Sequence, residues 1–180
     1  MTFVFYPDID PLPDIPLNAS SETFHQYLTI SCDKDGQAVP NTVCTRHSIN
    51  PDIESWAREN ISQEIAAIGL NCQGTEVGGV AIPHTDRTRN WTLIWLLDTG
   101  GDNVSTVFWQ EKGCTVERSG GYYPKSYNDL IELESHVLQP GRWLLLNAKV
   151  IHSVENLQRT RKAIQIGFWE DSKSIADWTR

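Results

Sequence analysis

Positive charge is scarce in this sequence: 15 Lys and Arg stand against 23 Asp and Glu, for a net charge of -8 over 180 residues. A nonspecific nucleic-acid binder needs a basic face to neutralise phosphates, and a protein held mainly by anionic lipid needs a polybasic one, so neither class is expected. A local basic pocket for a small anion remains open. No stretch approaches the roughly 18 apolar residues of a membrane span, and the longest, such as residues 143–146, are strand-sized. The amino terminus, MTFVFYPDIDPLPDIP, lacks a positive n-region and turns to Pro and Asp after six residues, so no signal peptide is expected. Cysteine is sparse too. Cys32, Cys44, Cys72 and Cys114 form no C-x-x-C pair and read as reduced, mostly buried thiols. Together these absences predict a cytoplasmic protein without a membrane segment, in which the sequons at Asn18, Asn60, Asn90 and Asn103 carry no weight.

What is present suffices for a core. Hydrophobic residues make up 39%, with seven Trp, five Tyr and five Phe, so one domain of this length needs no disulfide or zinc staple. Four of the nine prolines fall in residues 1–17, which should lie extended along a surface. Ser20 and Ser21 before Glu22 and FHQYL predict a short capped helix. A stronger start is Asn50-Pro51-Asp52-Ile53-Glu54: cap, proline in the first turn, then acids that favour the helix N-terminus. SQEIAAIGL predicts a second helical piece.

Beyond Gly69 the texture changes to short aromatic or β-branched segments at residues 77–82, 91–97, 106–110, 143–146 and 163–169, separated by Gly and Pro punctuation. With no helices of βαβ length between them, they predict an antiparallel sandwich or jelly roll. The layout is α+β and mainly β, one structural domain: an extended segment and supporting helices over 1–70, packed on one sheet of a β core over 71–180. In the last strand Arg161, Ala163, Gln165 and Gly167 share one face, and Lys162, Ile164, Ile166 and Phe168 the other. The second face suits packing against helices. The first suits a polar pocket.

Pro83-His84-Thr85-Asp86 carries the chemistry. In extended chain an i, i+2 pair points both side chains one way, about 7 Å apart at the backbone, so imidazole and carboxylate can meet one ion. Alone, H-x-D is weak, because Asp86 beside Arg87 and Arg89 also fits a turn aspartate with local ion pairs. His152, in RWLLLNAKVIHSVEN, supplies a second imidazole. Two His and one carboxylate on one face form the facial triad of non-haem Fe(II) oxygenases. A hairpin from His152 back through Arg161 would bring a guanidinium deeper into the same cavity, where its planar fork suits a carboxylate. His25, His47 and His136 show no partner spacing.

HTD, a distant His and then Arg161-Lys162-Ala163-Ile164 nine residues on resemble the Fe(II)/2-oxoglutarate-dependent dioxygenases, in their prolyl-hydroxylase-like branch of small phage and bacterial proteins. RNWTLIWLLD and QPGRWLLLNAKVIHSV extend the likeness over about residues 75–170. The resemblance implies a double-stranded β-helix (cupin-like jelly roll), with His84, Asp86 and His152 as iron ligands and Arg161 binding the distal carboxylate of 2-oxoglutarate. It implies hydroxylation of a small-molecule or peptide substrate with O2, forming succinate and CO2, with ascorbate as a reductant. Family members often carry a tyrosine on the strand after H-x-D; here that alternation offers Thr92, Ile94 and Leu96, of which Thr92 can donate a hydrogen bond to the cosubstrate. Arg89 reads as a second carboxylate contact or a rim charge, and Arg159 competes with Arg161. A cupin-like metalloprotein without 2-oxoglutarate, or a non-catalytic jelly-roll binding module, is the alternative. Residues 119–128, with Gly, Pro and three Tyr, have the composition of a lid.

Overall fold

The computed structural model describes residues 2–19, 24–27, 43–74, 79–169 and 172–179. Along the chain come β1 (Val4–Phe5), β2 (Phe24–Tyr27), β3 (Val43–His47), α1 (Pro51–Asn60), β4 (Ala67–Gly74), β5 (Gly79–His84) and β6 (Trp91–Asp98). There follow β7 (Ser105–Glu111), a 3-10 turn at Tyr127–Asp129, β8 (Leu130–Val137), β9 (Trp143–Asn147), β10 (Ile151–Leu157), β11 (Arg161–Phe168) and α2 (Lys173–Trp178). The strands form a seven-stranded sheet in the order β1-β9-β6-β11-β4-β3-β2 and a four-stranded sheet in the order β5-β10-β7-β8. Every pairing between them is antiparallel. From β4 to β11 the chain crosses between sheets at every link except the β7–β8 hairpin, so strands close in sequence end up facing each other.

Two apolar layers result. Between the sheets lie Phe3, Ile94, Leu96, Phe108, Leu144, Leu146 and Val150. Outside the large sheet, Leu93, Trp143, Leu145, Ile164, Ile166 and Phe168 meet Ile53 and Ala57 of α1 and Ile175 of α2. The parity expected of β11 therefore holds: Ile164, Ile166 and Phe168 are fully buried against the helices, and Arg161 and Ala163 face the other sheet. The α1 start is the one the sequence specifies, with Asn50 Oδ1 accepting from the Asp52 N–H at 3.0 Å. Asn50 also donates to the carbonyls of Pro16 and Leu17, which ties the extended amino-terminal segment across the same face. There Ile9, Leu12, Ile15 and Leu17 pack, and the Trp143 indole donates to Asp10 O.

Several expectations fail. Among the described residues the first third gives one helix rather than several. Phe24–Tyr27, expected as part of a helix, is a strand paired with β3; Ser20 and Ser21 lie outside the described residues. The second helical piece is instead a turn followed by β4, because pairing with both β11 and β3 outweighs the helix propensity of Glu64-Ile65-Ala66-Ala67. β8 has no apolar run to announce it: it is an edge strand with Ile131, Glu132 and Ser135 among its residues, and it alternates weakly. β10 and β11 form no hairpin, since they lie in different sheets. Their link is clamped by Gly100, whose carbonyl accepts from the N–H groups of Gln158 and Arg159 at 2.9 Å each. Gly100 has φ +84°, and a Cβ there would lie 2.8 Å from Leu157 and 2.9 Å from Arg161. Cys72 is half-buried and Cys114 exposed, so these two thiols are less sheltered than expected, while Cys32 and the Cys44 side chain lie outside the described residues.

Candidate metal centre

In the β5–β10 pair His84 lies directly opposite His152. Opposed residues on antiparallel strands share a face, and here the two imidazole rings lie 4.6 Å apart, tilted by 45°. Asp86, two residues past His84, points the same way. One nitrogen from each histidine and one oxygen from Asp86 lie within 4.8 Å of one another, with His84 Nε2 and Asp86 Oδ1 3.7 Å apart. The triad read from the sequence is thus assembled.

Hydrogen bonds on the far side of each ligand select the atom that faces inward. His84 Nδ1 lies 2.7 Å from Ile82 O and His152 Nδ1 2.9 Å from Val150 O. A carbonyl only accepts, so both Nδ1 atoms carry the proton and both Nε2 lone pairs face the site. Asp86 Oδ2 accepts from Arg89 Nη2 at 2.8 Å and from Thr92 Oγ1 at 3.4 Å, leaving Oδ1 turned towards His84. Arg89 is therefore no rim charge: it is buried and also donates to Gln165 Oε1 at 2.9 Å. Gly167 makes room for it, because a Cβ there would stand 2.5 Å from Arg89 Cδ.

The electrostatics suit a divalent cation. Burial works against the charged form of Asp86, yet Arg89 foremost, then His152, His84 and Arg46, hold its carboxyl below the ordinary range. Burial, with His84 adding to it, pushes His152 down to about 4. At neutral pH the donor set is one carboxylate with a neutral imidazole at His152, as metal binding requires. Cis ligands at about 2.1 Å stand roughly 3 Å apart, so the observed separations, all within 4.8 Å, need to close by less than about 2 Å. The triad can hold a metal ion.

Backbone ties fix the ligand-bearing pieces to one another. The Asp86 N–H donates to Ala148 O, in the turn that leads to His152. Thr85 turns the opposite way: its N–H donates to Tyr122 O at 2.9 Å and its hydroxyl to Gly120 O at 2.7 Å. The segment with a lid-like composition is thus strapped to the H-x-D turn. It is fastened again where the Tyr122 hydroxyl and Arg118 meet Glu111. Beside it Tyr123, 42% exposed, stacks on His84 at 5.9 Å.

Arg161 lies between the sheets, 5% exposed, with Nη1 donating to Thr106 Oγ1 at 3.4 Å. Thr106 is one i, i+2 step along β7 from Phe108, the residue opposite His152, a displacement of about 7 Å. Among the described residues no carboxylate pairs with Arg161, and burial lowers its pKa to about 10, so it is charged at neutral pH. Arg159, by contrast, is 60% exposed at its side chain and pairs with Asp98 at 3.1 Å; it is not in the site.

A cavity of about 600 Å³ opens over the triad. It is lined on the large-sheet side by Asn71, Gln73, Thr92, Ile94 and Gln165, with Arg46 and Arg87 also contributing. Gln73, the direct cross-strand neighbour of Arg161, faces this cavity. Sequence reading found Gln165 as an inward polar residue but missed Arg46, Asn71, Gln73 and Tyr123. The alternation Asn71-Cys72-Gln73 was the available signal, passed over because residues 62–70 before it read as helical and the first strand was expected only from residue 77. Of the other histidines, His47 meets Thr45 Oγ1 and His136 meets Glu134, away from the triad. No protein-family model matches the chain, and no curated protein matches it.

Proposed function

We propose that the protein is an Fe(II)- and 2-oxoglutarate-dependent oxygenase. The observation that carries this reading is the pairing of a His-Asp-His donor set with a buried arginine that has no acid partner among the described residues. A buried cation without a counter-charge is costly, and an anion arriving beside Arg161 would relieve that cost. The strand order β9-β6-β11-β4 facing β5-β10-β7-β8 supports a double-stranded β-helix, the architecture expected from the resemblance.

In this reading His84 Nε2, His152 Nε2 and Asp86 Oδ1 are the donors for Fe(II). Arg161, steadied by Thr106 one i, i+2 step along β7 from the residue opposite His152, binds the distal carboxylate of 2-oxoglutarate. When bound, iron and 2-oxoglutarate supply hydroxylation of a C–H bond by O2, with succinate and CO2 as coproducts. The chain's own work is placement. Val150 and Ile82 fix the histidine tautomers, Arg89 and Thr92 hold Asp86 to one coordinating oxygen, and the sheets exclude water around Arg161. Thr92 and Arg89 serve Asp86 in this scheme rather than the cosubstrate.

The test is succinate formation from 2-oxoglutarate by anaerobically purified protein given Fe(II), ascorbate and O2, beside His84→Ala. Succinate from the wild type alone supports the reading; no succinate, together with no binding of 2-oxoglutarate to the metal-loaded protein, overturns it. A charge-assisted hydrogen bond lost from a buried site costs about 1.5–3 kcal/mol. Arg161→Ala is accordingly expected to weaken 2-oxoglutarate binding about ten- to a hundred-fold while Fe(II) stays bound, as measured by calorimetric titration. Unchanged affinity would remove Arg161 from this role.

A further inference from the structure

The inner face of the large sheet changes character across its width. On β9 and β6 it is mainly apolar, with Leu144, Leu146, Ile94 and Leu96 beside Thr92. On β11 and β4 it turns to amides, Gln165, Asn71 and Gln73, and on β3 it ends in Arg46, the cross-strand neighbour of Asn71. A sheet face turned towards a second sheet is ordinarily apolar, because polar groups there lose water and gain nothing for stability. A polar half opening on a cavity is instead the lining of a binding site.

The charge balance of that lining indicates the sign of the occupant. Among the described residues it contains Arg46, Arg87 and Arg89 against one acid, Asp86, and Arg89 is engaged with Asp86. Arg46 and Arg87 are exposed to the cavity, and among the described residues neither has an acid at ion-pair distance. This excess of positive charge stands in a protein whose net charge is -8, so it is a local feature set against the whole-molecule field. Arg46 lines the same cavity as His84, Asp86 and His152. The volume of about 600 Å³ is that of a small-molecule site.

We propose that the molecule acted on is a small anion, bearing a carboxylate or a phosphate, whose charged group is held by Arg46 with Arg87 and whose body is oriented by the amides of Asn71 and Gln73. This rests on the oxygenase reading for the reaction, though not for the anion site itself. A guanidinium fork takes either oxyanion in bidentate geometry, so the two sources share one recognition chemistry. A neutral peptide or an uncharged base would leave both cations unmatched.

The test is calorimetric titration, without oxygen, of Fe(II)-loaded protein saturated with 2-oxoglutarate. The probes are N-acetylglycine for carboxylates, glycerol 3-phosphate for phosphates and N-acetylglycinamide as the neutral control. One anionic probe is expected to bind and the neutral control not to bind, and which anion binds assigns the source. Arg46→Ala should weaken that binding about tenfold or more and Arg46→Glu should abolish it, with 2-oxoglutarate affinity unchanged in both. Arg46 is exposed, so these variants retain the fold. Binding of neither anion, equal binding in Arg46→Glu, or an equal loss of 2-oxoglutarate affinity would overturn the proposal. Should 2-oxoglutarate itself fail to bind the wild type, the oxygenase reading falls, and the same titrations on the metal-loaded protein alone decide the anion site.

Discussion

At the scale of the residue, the candidate metal centre is governed by atoms that would not touch a bound ion. Each histidine is turned by the carbonyl two residues before it, and Asp86 is turned by Arg89. Arg89 reaches Asp86 only because position 167 has no side chain. A methyl group at Gly167 would stand 2.5 Å from Arg89 Cδ, inside any real carbon–carbon contact, so Arg89 must leave its bed and release Oδ2. Groups that orient a metal ligand are worth about 10- to 100-fold in metal affinity. Gly167→Ala is expected to weaken Co(II) or Fe(II) binding about tenfold without unfolding the protein, measured by anaerobic titration alongside circular dichroism. A rise in affinity would mean that Arg89 acts on Asp86 chiefly as a competing cation.

At the scale of the element, α2 is docked by one carboxylate. Glu64, in the turn before β4, accepts from the Ser172 hydroxyl at 2.6 Å and from the Ser174 N–H at 3.3 Å, while Ser174 Oγ donates to Ser62. The Ser172 hydrogen bond, followed by that from Ser174, holds the Glu64 pKa below its ordinary value. Between the lowered folded value and the ordinary unfolded one, the folded chain binds fewer protons, so stability rises with pH across that interval. The contribution is complete above the unfolded pKa of about 4.3 and is lost as pH falls through the lower folded value. Acid titration followed by NMR should therefore loosen residues 172–178 below pH of about 4, and Glu64→Gln should remove that dependence. An unchanged transition in the variant would assign it to another carboxylate.

At the scale of the whole molecule, the site joins the two sheets. The three candidate metal donors belong to β5, β10 and the turn after β5, all on the small sheet's side, whereas Arg161 is on the large sheet. A metal alone ties β5 to β10; a dicarboxylate bridging metal and Arg161 would tie sheet to sheet. Ligand at about a hundred times its Kd adds about 2.7 kcal/mol, and for a domain of this size each kcal/mol moves Tm by about 2–4 °C. Thermal unfolding without oxygen should show Tm rising by about 5–10 °C with Fe(II), again with 2-oxoglutarate, and falling back with a chelator. In Arg161→Ala only the second step should vanish. If 2-oxoglutarate adds nothing to the metal-loaded wild type, the bridge does not form. Among the described residues no helix is long and apolar enough to cross a membrane.

The sequence by itself determined whatever depends on neighbours along the chain. The Asn50 cap and Pro51 start α1, the parity of β11 divides its helix-facing from its inward residues, and His84 and Asp86 share a face because alternate residues of an extended chain must. It also distinguished Arg161 as inward-facing, though not from Arg159. Only the tertiary structure decided what depends on partners remote in sequence. Residues 67–74 became a strand because β11 and β3 flank them, a gain of ladder hydrogen bonds that no local propensity records. His152 met His84 through the β5–β10 register, and Arg159 was excluded when the clamp at Gly100 left it outside with Asp98. Arg89 found Asp86, and Arg46 found the cavity, because packing brought together charges whose spacing in the sequence carries no period.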